Sequence, residues 1–524
     1  MTLSIDSDDD PAATDRPGSV VPLNQKTLDR HAGRLHVPTY DRSALTPAVV
    51  HISVGGFHRA HQLVYFDELA QQGLTSDWGV VGVGLHTRAM RDALAPQDHL
   101  YTVVERDADA ASARVVGAMI DYLFAPDEPE RVLSLLADPR IRLVTMTVTG
   151  TTYRVDPETG AFDPDAEARA DLEQPQRPHS VFGYLVESLD RRRRAGHAPF
   201  TVLSCDNMQS NGEAARNAVV GFARLRDEVL ARWIADNVCF PNSMVDRITP
   251  ATGPEERADV ARRFGVDDRW PVITEPFSQW IVEDCFPTGR PPLERVGVRF
   301  VRDVGDHELM KTRLLNASHS ALGYLGRLVG HERTDEVMAD EVLHDYVHRL
   351  MAEEIAPQLT EPDGIDLAEY QRSLLHRFAN PAIGDRLDRL CRRGSTKMPN
   401  YLLPSLHGAL ADDRPFDLLA LAVAGWCRYL QGTDDAGTPI EVEDPLAERL
   451  IELARAGRTD PRPLLGERSV FGDLVDHPGL VDAVAADLRQ MGSNGVRATV
   501  AAHLAQVRPG SPAPAPGGAC PQPA

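Results

Sequence analysis

Between residues 48 and 207 the chain repeats one pattern: a short apolar run, a turn, and an amphipathic stretch. The runs AVVHISV, GVVGVGL, LYTVVER, RIRLVTMTVT and APFTVLSCDN are rich in β-branched residues and end in small or polar ones. A strand that is apolar at every position has no face to give to water, so other elements must cover both of its faces. Helices linking the strands of a parallel sheet do this, and an α/β domain is expected. Beyond about residue 300 the period changes. HELMKTRLLNASHSALGYLGRLVG, EVMADEVLHDYVHRLMAEEI and RPFDLLALAVAGWCRYLQG place apolar residues three and four apart over more than ten positions, which commits them to helices. A length of 524 residues also exceeds what a single core supports. The expected organisation is a parallel-sheet domain over 23–300 and a predominantly α-helical domain over 301–506. The Pro-, Gly-, Ala- and Asp-rich segments 1–22 and 507–524 are expected to be disordered tails.

Composition removes several function classes. A net charge of −22 repels phosphate backbones and anionic lipid, so no nucleic-acid or membrane partner is expected. The one basic block, RRRR at 191–194, reads as a solvated helix end. No apolar run approaches the roughly 18 residues of a membrane span, and the acidic N-terminus resembles neither a secretory signal nor a transit peptide. A cytoplasmic protein is expected. The six cysteines form no CxxC pair and are read as reduced thiols. His344 and His348 in HDYVH have ligand spacing but lack an evident third ligand, so no metal site is expected.

The stretch HISVGGFHRAHQ runs from strand to glycine turn to helix, a setting that aims backbone N–H groups at a pyrophosphate. It predicts a Rossmann-like dinucleotide domain with Ser53, Gly55, Gly56 and Phe57 at the cofactor. Ser53 and His58 stand where the GxGxxG fingerprint has its first and third glycines. After the next strand, GVVGVGL, such folds usually carry an acid for the adenosine ribose. Here His86, Thr87, Arg88 and Ala89 follow instead. Arg88 without that acid suits the 2′-phosphate of NADP, so NADP(H) is expected to be accepted or preferred.

Three of the 55 basic residues are lysine: Lys26, Lys311 and Lys397. A guanidinium cannot give up its proton in a protein and an ammonium can, so a lysine kept in an arginine-biased chain is a candidate titrating group. In MKTRLLNASH, Lys311, Asn316 and His319 point at about 0, 140 and 80 degrees around an α-helix, within one broad face. Oxidising a secondary alcohol needs a base, donors for the developing alkoxide, and a hydride acceptor. A desolvated Lys311 can be the base, Asn316 a donor, and His319 can orient a hydroxyl. No lysine has the tyrosine four residues earlier that short-chain dehydrogenases use, and no GxSxG elbow is present.

Six motifs occur in order: GGFHRAHQ, SCDN, FPNSMVDRITP, EPFSQWIVED, MKTRLLNASH and GSTKMP. Together, over roughly residues 25–505, they resemble the polyol-specific long-chain dehydrogenases and most closely their mannitol-oxidising branch. The resemblance implies a zinc-independent, usually monomeric enzyme that interconverts D-mannitol and D-fructose with NAD(H). It implies Lys311 as general base, Asn207 and Asn316 as the donors around the substrate oxygen, and His319 as the substrate-orienting group. It further implies polyol binding by Asp246, Arg389 and Lys397, and proton exit through Glu308. Gly150 stands where relatives carry a glutamate. Fructuronate and tagaturonate reductases and arabinitol dehydrogenase share the motifs and remain alternatives, and a nucleotide-binding protein without turnover is a more distant one.

Overall fold

The computed structural model describes residues 20–108, 110–156 and 159–506, and the expected disorder of 1–19 and 507–524 lies outside them, as does Cys520. Two compact units divide between His307 and Glu308. Among the described residues no helix is long and apolar enough to cross a membrane.

The first unit is built on five parallel strands, β1 (Pro47–Ile52), β2 (Gly79–Gly84), β3 (Met119–Phe124), β4 (Leu143–Met146) and β5 (Thr201–Ser204), in the order β3-β2-β1-β4-β5. The continuous apolar runs explain why both faces are filled, because successive side chains go to opposite sides. Val49, Val80, Leu143 and Leu203 enter one core with Leu63, Phe66 and Leu69 of α2 (Gln62–Gln71), which follows the short α1 (Gly56–Ala60). Val50, Ile52, Val81, Val83, Val144, Met146 and Val202 enter the other with Val181, Leu185 and Leu189 of α3 (Val181–Ala195). Each such side chain, fully buried, contributes roughly 1.5–3 kcal/mol, so the strand that leads into the glycine turn is firmly anchored. The strand order reverses between β1 and β4, and α/β sheets bind ligands at the carboxyl ends of strands at such a switch point. Farther along, β6 (Ser243–Asp246) pairs antiparallel with β7 (Gln279–Glu283), setting Asp246 opposite Gln279.

Three readings of this unit are corrected. Val21 and Pro22, expected in the N-terminal tail, pair in parallel with Val266 and Asp267. The RRRR block does end a helix, but Arg192 is buried and donates to the carbonyls of Leu136, Ala198, Asp138 and Ile141. Its neighbours Arg191 and Arg193 pair with Glu130, Glu187 and Asp190, so these three tie the helix C-terminus to its surroundings, and the largely exposed Arg194 is the part that fits a solvated end. Cys239 and Cys285, 46 residues apart in sequence with Cα atoms at 6.1 Å, form a disulfide, whereas Cys205, Cys391 and Cys427 are buried free thiols. Spacing in sequence carried no trace of that pair.

The second unit is helical. Gly305–Met310 (α4) runs into a π-helix over Lys311–Asn316 and then into α5 (Ala317–Val329). Around α5 the core gathers Tyr324, Leu325 and Leu328 with Leu374 and Phe378 of α6 (Leu367–Phe378), Leu387 and Leu390 of α7 (Leu387–Cys391), Met398 of α8 (Gly394–Tyr401) and Val423 and Trp426 of α9 (Asp417–Tyr429). Glu354, on a second π-helix over Leu350–Ile355, accepts hydrogen bonds from the N–H groups of Leu418 and Leu419, both at 2.8 Å, and so caps α9. Burial raises its carboxyl from 4.5 to about 7. Between those values the folded state holds a proton that the unfolded chain has released. Stability therefore falls as pH rises from 4.5 to 7, by at most about 1.4 kcal/mol per pH unit, and is flat above. Glu354→Gln is expected to remove that slope in denaturant unfolding followed from pH 5 to 8.

Candidate active site

At the carboxyl end of β1 the chain turns through Ser53, Val54 and Gly55 into α1. Ser53 has φ of +70°, so the serine at the first glycine place adopts the left-handed backbone that glycine ordinarily supplies. Gly55 needs no unusual φ. A Cβ built on it meets nothing within 4 Å, which marks an open approach to the backbone. His58, at the third glycine place, is fully buried and stacks on His51 of β1 with ring centroids at 3.3 Å and planes 7° apart. That contact replaces the close helix–strand packing a glycine would allow. His51 Nδ1 and Nε2 lie 2.7 and 3.1 Å from the hydroxyls of Thr145 and Thr147, which ties β1 to β4 across the switch point. Burial pushes His51 down to about 3 and His58 well below its ordinary range, so the stacked pair is uncharged.

Ser53, Leu85, His86, Thr147, Val148, Thr152 and Phe182 line a cavity of about 270 Å3 at the ends of β1, β2 and β4. Its position at the switch point and the open backbone at Gly55 suit a ligand at the carboxyl ends of these strands; Ser53, expected at the cofactor, lines the cavity, and Gly55, Gly56 and Phe57 follow it into α1. Arg88, just beyond β2, is 58% exposed and pairs with Asp127 at 2.5 Å. Asp127 also holds Arg91 at 2.8 Å, and both guanidiniums lie over Phe124. An acid from beyond β3 thus lies beside Arg88 in space, and any anion bound at Arg88 would compete with it.

Asn207 follows β5 and sits on an anchored loop. Its neighbour Asp206 accepts from the N–H groups of Val148 and Thr149, at 3.1 and 2.8 Å, and from the Tyr153 hydroxyl at 2.6 Å. Burial raises the Asp206 carboxyl, against the pull of the Tyr153 hydrogen bond. This carboxylate pins Thr149, at φ +75°, and the turn containing Gly150. Asn211 donates from Nδ2 to the carbonyls of Asp206 and Ser243, joining the Asn207 loop to β6, whose last residue is the buried Asp246.

In the second unit the widened π-turn changes the expected geometry of MKTRLLNASH. Fewer degrees per residue bring Asn316 closer in direction to Lys311 than the 140 degrees of a pure α-helix, and π-turns of this kind recur at functional sites. Lys311 is 7% exposed, and Asn316, His319 and Glu308 are also buried. Burial, followed by the charges of Arg389, Arg377, Lys397 and Lys311, keeps the His319 imidazole neutral, well below its ordinary range. The ring packs 4.4 Å from Phe378, and its Nε2 has no hydrogen-bond partner among the described residues. Lys397 donates from Nζ to the carbonyls of Arg389 and Leu390 at 3.1 and 2.9 Å, and burial, then Arg389, lowers its ammonium to about 8. This unit thus sets Lys311, Arg377, Arg389 and Lys397 near the buried imidazole of His319. The first unit carries Ser53, Gly55, Gly56, Phe57, Arg88, Asn207 and Asp246 at strand ends. Among the described residues no group of three His, Cys, Asp or Glu side chains could hold a metal ion.

Comparison with known proteins decides the family. Residues 47–295 match the mannitol dehydrogenase Rossmann domain, and residues 303–492 match the mannitol dehydrogenase C-terminal domain. The chain belongs to the mannitol dehydrogenase family. A mannitol 2-dehydrogenase of Aspergillus fumigatus is 43% identical over 496 residues, 92% of this chain and 99% of that one. Among solved structures, the Pseudomonas fluorescens mannitol 2-dehydrogenase ternary complex with NAD and D-mannitol is similar with a TM-score of 0.85 and 39% identity, covering 93% of this chain and all of that one. A D-sorbitol dehydrogenase in substrate-free form has a TM-score of 0.84 and 38% identity, covering 91% of this chain and all of that one. Within the mannitol dehydrogenase framework, motif reading passed over His51, Asp127, Asp206 and Asp385. His51 and Asp206 stand inside quoted stretches, and Asp385, which pairs with Arg389, is an acid four residues before it.

Proposed function

We propose that this chain is an NAD-dependent oxidoreductase that interconverts D-mannitol and D-fructose. The observation that carries the reading is the ternary complex of the Pseudomonas fluorescens relative, which holds NAD and D-mannitol together and is 39% identical over 93% of this chain. In this reading Lys311 takes the proton from the C2 hydroxyl, a task for an amine freed of part of its hydration. Asn207 and Asn316 donate to the oxygen as it gains negative charge. His319, neutral and with Nε2 unpartnered among the described residues, orients a substrate hydroxyl. Asp246, Arg389 and Lys397 hold the remaining hydroxyls, and Glu308 passes the proton outward. When bound, the nicotinamide supplies the hydride acceptor. No residue is assigned to a metal, and turnover is expected to survive a chelator. We place the enzyme in the cytoplasm as a monomer.

The cofactor is NAD(H), with NADP(H) accepted through Arg88. The Asp127 pair sets the cost of that acceptance, because the 2′-phosphate must displace a carboxylate. A second substrate reading is favoured by the D-sorbitol dehydrogenase neighbour, since sorbitol and mannitol are C2 epimers that both yield D-fructose. Initial rates with NAD and NADP against D-mannitol, D-sorbitol, D-arabinitol and D-fructuronate test these choices. D-mannitol with NAD is expected to give the highest kcat/KM. Turnover confined to the uronate would replace the proposal with the reductase reading. In the same panel, Arg88→Glu is expected to raise the KM for NADP at least about tenfold and that for NAD less, and equal effects on both would remove Arg88 from the phosphate.

A further inference from the structure

Arg389 is 51% exposed on its side chain, yet it is not free to wander. Its Nε donates to Asp385 Oδ1 at 2.7 Å and its Nη2 to Asp385 Oδ2, a two-point grip from a carboxylate that is only 4% exposed. The backbone of the same residue is fixed from the other side, since Lys397 Nζ donates to the carbonyls of Arg389 and Leu390. An arginine has five N–H donors in a rigid plane, and a fork–fork pair with a carboxylate uses two of them. The edge turned away from Asp385, centred on Nη1, is left for a ligand. Lys397 spends two of its three donors on the carbonyls and keeps one. A buried acid therefore orients an exposed cation, and the two cations of the substrate set are locked to each other through one helical turn.

We infer that Asp385 is a positioning residue for the polyol. Its carboxylate holds the Arg389 guanidinium in the one plane from which its free edge meets a substrate hydroxyl. This rests on the proposed role of Arg389 in polyol binding. Long side chains lose conformational freedom when a ligand captures them, and a partner that has already fixed the rotamer removes that cost from the binding step. The alternative is a plain structural ion pair between residues four apart, whose loss would affect stability and leave substrate affinity alone. The two roles separate by what they move.

The test uses the full-length enzyme with D-mannitol and NAD. Asp385→Asn keeps the shape of the side chain but gives up the charge and one of the two acceptors. It is expected to raise the KM for D-mannitol about tenfold, with the KM for NAD and the melting temperature nearly unchanged. Arg389→Lys, which keeps the charge and loses the fork, is expected to raise the same KM by at least as much. Adding Asp385→Asn to it should cost little more, because the carboxylate then has no fork to orient. Asp385→Glu should recover part of the loss. If Arg389→Lys raises the KM while Asp385→Asn leaves it unchanged, or lowers only the melting temperature, the inference fails and the role of Arg389 stands. If neither substitution moves the KM for D-mannitol, the assignment of Arg389 fails and the inference falls with it.

Discussion

Replacing Lys311 with alanine is expected to lower kcat for D-mannitol oxidation by about 10²–10⁴-fold, the contribution of a positioned general base, while NAD still binds. The reason lies in the physical chemistry of the two cations. The chain uses arginine almost everywhere a positive charge is needed, and a guanidinium at position 311 cannot act as a proton acceptor. Lys311→Arg is therefore expected to fail nearly as badly as alanine, although it keeps charge and length. Lys311 is buried at the start of a π-turn, and an ammonium there, unlike a guanidinium, is able to exchange a proton. Steady-state kinetics paired with a direct NAD titration separates the two quantities. A Lys311→Ala enzyme with unchanged kcat would remove the base from the mechanism, and one that no longer binds NAD would show the substitution had damaged the fold.

The second large effect is expected at Asn316. As the hydroxyl proton leaves, negative charge grows on the substrate oxygen, and an amide N–H already in place stabilises that charge more than it stabilises the neutral alcohol. Removing one such donor typically costs about 10²–10³ in kcat. Asn316→Ala should show this loss in kcat with a much smaller change in KM, because the ground-state hydroxyl uses the donor weakly. A change confined to KM would make Asn316 an ordinary binding group. Asn316→Asp should be worse than alanine, since a carboxylate beside a developing alkoxide repels it.

Four of the five strands of the parallel sheet were legible because strands covered on both faces must be apolar throughout, and Val49–Val50, Val80–Val81 and Leu143–Val144 each feed two cores at once. The edge strand Met119–Phe124, which carries Asp121, was not, and the run LYTVVER instead pairs Tyr101–Arg106 with Ala111–Val116 and Val272–Thr274 in a separate sheet. The helical second unit was legible from its three-and-four spacing. The candidate role of Lys311 comes from scarcity, as one of three lysines in the chain, and the structure adds that it is buried. Other features depend on groups brought together from far apart and leave no local mark. The π-turn over Lys311–Asn316 is one, since nothing in KTRLLN distinguishes it from an α-helical segment. The grip of Asp127 on Arg88 spans 39 residues, and the Cys239–Cys285 bond spans 46. Ser53 is intermediate: its departure from glycine was visible, but that a serine would take φ of +70° there was not. His58 likewise reads as a defect in the fingerprint until its stacking on His51 is seen.

The most direct measurement is the product formed from D-fructose and NADH in the presence of a chelator, analysed by carbohydrate chromatography. Delivery of hydride to one face of C2 yields D-mannitol and to the other yields D-sorbitol. The account predicts D-mannitol, one molecule for each NADH consumed, and none above background with Lys311→Ala. D-sorbitol as the product, or no NADH consumption with D-fructose at all, would contradict it.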